Sequence, residues 1–589
     1  MKYSDQIAGW LVELGYTHCF YVGGGNIMHL VESFSRVIKC IPVIHEVGAG
    51  IAAEYFNQTS DSEKALALVT AGPGLTNIIT AMAGSYLESR ELLVIGGQVK
   101  TSDLSHGKLR QNGIQEIDGV SLAATVCVES ASVIYPWDKD KFTSTILLSS
   151  SGRKGPVFLE VPLDIQAKDV DFDSSNSIKA TRKLPKIESS ALNEIASLIN
   201  NAKRPIIMLG GGVDRKTSKE IYNCFAKTSV PIATTWNGAD RIDSNHPNYI
   251  GRPNTWGQRS ANILVQQSDL LIAVGTRLGM QQTGFNWQEF LPLGDIIQID
   301  IDESELHKGH PEIAQGIAVD ANDFLIRLMR ENLGKHTEWL QFCKEVRTLL
   351  PNEEESANSV GIGYVSPHKF IKCLSTLADS SDIIIPCSSG GAFTTMYQMF
   401  EQKFGQKMVS DKSLASMGYG LSGAIGASLA NPDKRVVLVE GDGGFSQNLQ
   451  EIGTAAINNC NLKVFIFDDE GHASIRMTQR SYFGGKYVGC DIRTGLGLPI
   501  WERLFHAWDI ESYVLDAESF ENGNFEQKFN VTGFTVFIVK IDPEQTYYPK
   551  ILSKVTDEGS MVSNPIHIMS PPLGVDISEK VFKYIDVTQ

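Results

Sequence analysis

The sequence predicts an α/β protein of three doubly wound parallel-sheet domains followed by a C-terminal tail. Three observations lead there. The chain has 589 residues, 42% of them hydrophobic, which suffices for three or four cores at about 150 residues per domain. Short β-branched runs alternate with helical patterns along nearly its whole length, the signature of parallel strands joined by crossover helices. Two polar, aperiodic stretches, 167–190 and 351–367, divide that alternation into three blocks of similar size.

Taken in order, the first block carries expected strands HCFYV (18–22), IPVIH (41–45), ALALVT (65–70), LLVIGGQV (92–99) and PVFLEVP (156–162). Helices are expected between them over 26–36, 48–57 and 76–88. The second block has PIIMLGGG (205–212), PIATTW (231–236), LLIAVGT (270–276) and IIQIDID (296–302). The third has DIIIPCSS (382–389), KRVVLVEGDG (434–443), LKVFIFDD (462–469) and FTVFIVKID (534–542), with a helix expected over 448–457. Beyond about 546 the alternation stops, and an extended tail is expected. The expected domains are therefore 1–170, 188–345 and 365–545, with the tail at 546–589.

Composition excludes some classes. A net charge of −16 without any long basic run argues against a nucleic-acid or anionic-membrane surface. The nine cysteines form no C-x-x-C pair and no metal-ligand spacing, so they read as reduced and mostly buried. The N-terminal MKYSDQIAGWLVELG reads as an amphipathic helix and not a signal peptide. No stretch approaches the roughly 20 apolar residues needed to span a bilayer. The expectation is a soluble, cytoplasmic protein.

The chemistry-bearing feature is a pair of strand ends. Val436–Glu440 runs into Gly441-Asp442-Gly443, and the next strand ends at Asp468-Asp469. Ligands of open parallel sheets collect beyond the carboxyl ends of strands, at helix N-termini. In a right-handed β-α-β unit these two strands are neighbours, so Asp442 and Asp469 can converge. With the carbonyl of Gly471 they offer an all-oxygen set suited to a hard cation that clamps a diphosphate. A lone Gly-Asp-Gly is more often a plain turn whose aspartate caps a helix; the second acidic strand end favours the cation site.

With these residues the chain resembles thiamine-diphosphate enzymes of the acetolactate synthase / pyruvate decarboxylase superfamily. Their diphosphate-binding segment opens with Gly-Asp-Gly and closes with a metal-binding side chain after the next strand. CFYVGGGNIMHL (19–30) resembles the family's first glycine-rich loop, and VIHEVGAGIAAEYF (43–56) the segment with the catalytic glutamate. VTAGPGLTN (69–77) and GIQEID (113–118) resemble two further loops, and SLASMGYGLSGAIGAS (413–428) the stretch that supports the bent cofactor. The resemblance covers nearly all of 1–545. It implies a pyrimidine-binding domain, a central domain and a diphosphate-binding domain, in that order. HASIRMTQRSYFGG (472–485) and the tail are similar to an acetolactate-synthase-like subgroup.

The resemblance implies roles. Glu46 contacts N1′ of the aminopyrimidine and shares a proton with it, the cofactor carrying the hard chemistry; a helix-capping acid is the alternative. Gln115 and Asn77 are candidate catalytic groups near the reacting carbon. Ser388, Ser389, Gly390 and Gly391 are candidates for phosphate contact, with a simple turn as the alternative. Met417 wedges the two rings apart, and its backbone and that of Ala415 meet the pyrimidine. Gly441, Asp442, Gly443, Gly444, Asp469, Gly471 and His472 form the diphosphate site, with Asp442, Asp469 and Gly471 as ligands of Mg²⁺. The implied partners are a 2-oxo acid, an unidentified carbonyl acceptor and further copies of this chain, in a homodimer or homotetramer with shared sites.

The chain also departs from the family. Asp468-Asp469 replaces the usual Asn pair, adding a carboxylate beside a diphosphate, a repulsion expected to be offset by the divalent cation. Gly23-Gly24-Gly25-Asn26 replaces Pro-Gly-Gly-Ala. TRLGMQQTG (276–284) stands where flavin-binding relatives carry Arg-Phe-Asp-Asp-Arg, which counts against FAD. The paired histidines of simple pyruvate decarboxylases are missing around His106. Carboligation is therefore the first expectation. Decarboxylation or C–C hydrolysis of another keto substrate, and a catalytically silent cofactor-binding scaffold, are the alternatives.

Overall fold

The computed structural model describes residues 1–171, 184–555, 559 and 561–586, so the centre of the expected 167–190 linker and parts of the expected tail lie outside the described residues. The apolar runs form three parallel sheets. In the first, β1 (Tyr16–Tyr21), β2 (Lys39–Pro42), β3 (Lys64–Val69), β4 (Leu92–Gln98), β5 (Glu129–Ser132) and β6 (Pro156–Pro162) lie in the order β2-β1-β3-β4-β6-β5. In the second, β7 (Pro205–Leu209), β8 (Ile232–Thr234), β9 (Tyr249–Gly251), β10 (Leu270–Val274), β11 (Asp295–Asp300) and β12 (Gln315–Ala318) lie in the order β12-β11-β10-β7-β8-β9. In the third, β13 (Ile383–Ile385), β14 (Val436–Gly441), β15 (Leu462–Asp468), β16 (Glu511–Leu515) and β17 (Thr535–Lys540) follow the order β13-β14-β15-β17-β16. These strands pair in parallel, for example Val436 with Leu462 and Gly441 with Phe467. Such sheets need helices on both faces.

The residues form two compact units. One gathers 1–171, 381–390 and 409–540, and the other 184–380, 391–408 and 541–586. Within the first unit one apolar core runs between the first and third sheets, with Phe20, Val69 and Val94 from one and Val436, Leu438 and Ile466 from the other. Helices α1 (Glu46–Thr59), α2 (Pro73–Leu87) and α3 (Tyr419–Ala430) fill it. Contact between α1 and α3 is backbone-close: a Cβ on Gly426 would lie 2.0 Å from the Ala52 carbonyl oxygen, and one on Gly423 2.5 Å from the Tyr55 ring. The opposite face of the first sheet is covered by Tyr3, Trp10, Phe34 and Phe142.

A buried ion pair sits beside those helices. Arg90 donates to Glu54 Oε1 at 2.7 Å and to the Ser410 carbonyl at 2.6 Å. Burial holds the Glu54 carboxyl up at about 7 even against that guanidinium.

In the second unit, cores on both faces of its sheet include Ile207, Ile272 and Phe324 on one side and Met208, Leu264 and Trp339 on the other. The C-terminal segment holds two short antiparallel pairs, Lys550–Ile551 with Met569–Ser570 and Ser553–Val555 with Met561–Ser563, then a helix, Val575–Val581.

Two local differences from the sequence reading bear on the site. The strand expected over 41–45 stops at Pro42: the Val43 amide still bonds the Tyr21 carbonyl at 3.0 Å, but those of Ile44 and His45 bond a side chain elsewhere. The helix expected over 448–457 begins at Asp442 itself, continues as a tight 3₁₀ stretch over Ser446–Glu451 and kinks at Asn448, with φ −130°.

Candidate functional site

The first cluster lies at the carboxyl ends of β2, β3 and β4. Helix α1 opens with Glu46, which is buried. Asn77, on the first turns of α2, donates through Nδ2 to Glu46 Oε2 at 2.9 Å. Helix α2 is capped by Gly72 at φ +64°, and a Cβ there would lie 2.5 Å from the Gln115 carbonyl oxygen. Only glycine combines that φ with that approach. The loop bearing Gln115 thus abuts the start of the helix bearing Asn77. Glu116 braces this loop by accepting from the amides of Ser105, Asn112 and Gly113. The three candidate catalytic residues Glu46, Asn77 and Gln115 are brought to one end of one sheet.

The second cluster lies at the carboxyl ends of β13, β14 and β15. Asp442 is fully buried; its Oδ1 accepts from the Gly443 amide at 2.6 Å and its Oδ2 from the Gly471 amide at 3.0 Å. One carboxylate therefore staples the two glycine loops together. Gly443 has no room for a side chain, since a Cβ would sit 2.2 Å from His472 Nδ1; a Cβ on Gly441 would meet nothing within 4 Å. The Ser388 hydroxyl donates to the Ser416 carbonyl, joining the Ser388–Ser389–Gly390 turn to the Ala415–Met417 loop. Asn448 Nδ2 donates to the Gly418 carbonyl at 2.7 Å, tying that loop to the segment after Asp442. Gly444 lies beside Glu440, 3.1 Å from its Oε1 by a built Cβ. Gly391 falls in the other unit, where its missing side chain makes room for the Tyr547 ring.

Some of the chain's strained backbone lies at these loops. Gln115 (φ 66°), Cys387 (φ 41°), Ala415 (φ 55°) and Glu470 (φ 66°) are all non-glycine residues in the left-handed region. Each lies in or beside a loop singled out from the sequence. Such conformations cost of the order of 1–3 kcal/mol each and persist where function needs a fixed backbone.

The electrostatics are those of a crowded acidic pocket. Burial, then the neighbouring Asp469 and Asp468, push the Asp442 carboxyl well above its ordinary range. Burial carries Asp469 up to about 7, opposed by Arg476. Burial and the Arg476 charge lower His472. Glu440, immediately before the Gly-Asp-Gly turn, is pushed up to about 8 by burial while accepting from the amides of Gly418, Gly420 and Leu421.

Several residues here escaped the sequence reading. Arg476 is the foremost: the added carboxylate at 469 was expected to rely on a cation alone, yet Arg476 Nη2 donates to both Oδ1 and the carbonyl of Asp469, each at 2.7 Å. The chain carries its own counter-charge. The signal was available, because an arginine in the opening turns of a helix, here Ala473–Tyr482, opposes the helix dipole and implies an acidic partner. Glu451 is the second. Its carboxylate accepts from the amides of Ile44 at 3.2 Å and His45 at 3.0 Å, and so holds the turn that delivers Glu46. No local pattern announces a contact across four hundred positions of chain.

The residues fit a metal–diphosphate group. Asp442, Asp469 and the Gly471 carbonyl make an oxygen-only set, and a divalent cation would relieve the like-charge crowding that raises Asp442. Among the described residues no three His, Cys, Asp or Glu side chains are grouped to hold a metal, so such a set needs its backbone member. Also among the described residues, no helix is long and apolar enough to cross a membrane.

Fold and site together define an α/β enzyme with a buried carboxyl at one sheet end and an acidic glycine cradle at another. Family models match three parts of the chain: "Thiamine pyrophosphate enzyme, N-terminal TPP binding domain" over 1–122, the "central domain" over 192–328, and the "C-terminal TPP binding domain" over 389–536. The chain belongs to the thiamine pyrophosphate enzyme family and is a thiamine-diphosphate-dependent enzyme of the transferase/lyase type. It is similar to the acetolactate synthase isozyme 1 large subunit of Escherichia coli K12, 27% identical over 93% of this chain and 95% of that protein. The acetolactate synthase large subunit of Corynebacterium glutamicum is 28% identical over 84% of this chain and 79% of its own length. A probable acetolactate synthase large subunit of Methanocaldococcus jannaschii is 28% identical over 82% and 83%.

Proposed function

We propose that the protein is a Mg²⁺-dependent carboligase of 2-oxo acids: it decarboxylates one 2-oxo acid, pyruvate foremost, and joins the acyl fragment to an acceptor carbonyl. The observation that carries this reading is the buried Glu46 carboxyl, fixed by Asn77 and by the turn that Glu451 holds. A cofactor-binding scaffold has no use for that group. The relatives named acetolactate synthases over nearly the whole chain support the same class.

Thiamine diphosphate, when bound, supplies the carbon nucleophile and the electron sink of the reaction. The chain's own residues do the rest. Asp442, Asp469 and the Gly471 carbonyl would hold Mg²⁺, while Gly441, Gly443, Gly444 and His472 would line the diphosphate, joined by Ser388, Ser389 and Gly390. Ala415 and Met417 present backbone groups and an apolar wedge, on a loop clamped by Ser388, Asn448 and Glu440. Glu46 holds and releases a proton at the aminopyrimidine nitrogen, with Asn77 fixing the orientation of its carboxyl. Gln115 stands at the edge of the first cluster, where a substrate carbonyl would need a donor. In this reading 1–170 is the pyrimidine-binding domain, 188–345 the central domain and 365–545 the diphosphate-binding domain. The protein assembles as a homodimer or homotetramer in which Glu46 serves the cofactor held by another copy. No flavin is included.

The test is incubation of the Mg²⁺–thiamine diphosphate form with pyruvate, alone and with keto-sugars or aldehydes, followed by mass spectrometry. A product bearing a new two-carbon branch supports the proposal. Acetaldehyde alone points to a simple decarboxylase, and no product to cleavage of a different keto substrate or to a scaffold. In parallel, Glu46→Gln is expected to bind the cofactor but to abolish hydrogen–deuterium exchange at the thiazolium C2; exchange at the wild-type rate removes Glu46 from its role.

A further inference from the structure

Arg476 is almost wholly buried, 1% exposed by its side chain, and lies among three buried acids. It pairs with Asp469 at 2.7 Å and stands 4.0 Å from Asp491 Oδ2, with Asp442 part of the same field. Its Nε and Nη1, and Asp491 Oδ2, have no hydrogen-bond partner among the described residues. The neighbouring cations are spoken for at the surface: Lys540 pairs with Asp468, and the mostly exposed Arg493 approaches Asp491 at 3.6 Å. Arg476 is the guanidinium inside the cradle. The segment carrying Asp491 is tied to the loop before Arg476, since the His472 amide bonds the Cys490 carbonyl at 2.8 Å and Gly471 bridges to Asp491.

We propose that Arg476 is a positioning residue for the diphosphate anion: its fixed positive charge, locked onto Asp469, makes a cradle with two acidic strand ends able to accept an anionic cofactor. The argument is electrostatic. A diphosphate brought beside Asp442 and Asp469 adds negative charge to a buried acidic pocket that water screens little. One divalent cation neutralises part of this. Arg476 supplies the remainder from a fixed place, because one of its nitrogens grips both the carboxylate and the carbonyl of Asp469. One of its open donors, Nη1, faces Asp491 Oδ2 at 4.0 Å; the other, Nε, has no hydrogen-bond partner among the described residues, and a buried donor left so is costly unless a ligand or its shell meets it. This inference rests on the reading of these loops as the Mg²⁺–diphosphate cradle.

The experiment is a charge cycle read by binding. Affinity for thiamine diphosphate at saturating Mg²⁺ is measured by titration calorimetry on the full-length protein and on Arg476→Met, Arg476→Lys, Asp469→Asn and Asp469→Asn/Arg476→Met. Mn²⁺ binding without cofactor is measured on each as well. Arg476→Met is expected to weaken cofactor binding by about tenfold or more, the scale of one charge-assisted hydrogen bond, and Arg476→Lys by less. Removing the extra carboxylate as well, in the double variant, is expected to restore affinity to within about threefold of wild type. Mn²⁺ alone is expected to bind Arg476→Met at least as tightly as wild type, whereas a merely structural loss of the Asp469 rotamer would weaken both ligands.

Wild-type affinity in Arg476→Met, or a double variant as weak as the single one, overturns the inference. If Arg476→Met does not fold, Asp469→Asn against the double variant carries the test, and a further loss beyond about tenfold overturns it. A wild-type protein that does not bind thiamine diphosphate with Mg²⁺ refutes the cradle reading itself, which is a separate outcome.

Discussion

Replacing Glu451 by Ala strips the Glu46 turn of its support. The carboxylate accepts the amides of Ile44 and His45 and the Thr454 hydroxyl, at 3.2, 3.0 and 2.6 Å. Hydrogen bonds to a charged group contribute about 1.5–3 kcal/mol each. The carboxyl is itself buried, and burial raises it above the usual carboxylate range, so part of that gain is already offset. A net loss of about 2–4 kcal/mol follows, or about 3–6 °C in thermal midpoint for a unit of this size. The second effect is positional. A displacement of Glu46 by about 1 Å is expected to slow cofactor activation by about a hundredfold. Thermal unfolding by circular dichroism measures the first effect. Thiazolium C2 exchange by NMR, at saturating cofactor, measures the second. Glu451→Gln keeps one accepting oxygen and should fall between. An alanine variant that melts and exchanges like wild type would show that Glu451 does not hold the turn.

Other predictions follow from single contacts. Gly72→Ala combines a +64° φ with a Cβ 2.5 Å from a backbone oxygen and is expected to cost at least about 2 kcal/mol in chemical denaturation; Gly441→Ala, whose Cβ meets nothing within 4 Å, should leave stability within about 0.5 kcal/mol while weakening cofactor binding. Arg90→Met leaves Glu54 buried without its partner and is expected to cost about 3–5 kcal/mol by denaturant titration. Glu440 is raised from 4.5 to about 8, so the folded state holds a proton that the unfolded chain releases. Its contribution to stability is complete below about pH 4.5 and is lost as pH rises towards 8. The thermal midpoint of the cofactor-free protein should fall across that window, and Glu440→Gln should flatten the fall.

The sequence made the buried strands legible because both of their faces demand apolar side chains. It hid the edges. Glu129–Ser132, Tyr249–Gly251, Gln315–Ala318 and Glu511–Leu515, which the reading did not mark as strands, each close one side of a sheet. A strand such as Glu-Ser-Ala-Ser is half solvated throughout, so nothing in its pattern separates it from a loop. In the site, legible residues were those whose chemistry is written locally: Asp442 between glycines, Asp469 at a strand end, Glu46 at a helix start. The residues that hold them were not. Glu451, Asn448 and Arg476 act through contacts that only folding creates. The kink at Asn448, for instance, exists because its amide is committed to the Gly418 carbonyl.

The backbone-close contact of α1 with α3 has a consequence for how such a chain can diverge. With Gly426 against the Ala52 carbonyl and Gly423 against the Tyr55 ring, α3 cannot gain a methyl group at either position without moving α1. One helix starts at Glu46 and the other just beyond Met417, so any such movement would disturb both loops together. Novelty in what this scaffold accepts must therefore accumulate at the tips of its loops, leaving its central axle as it is.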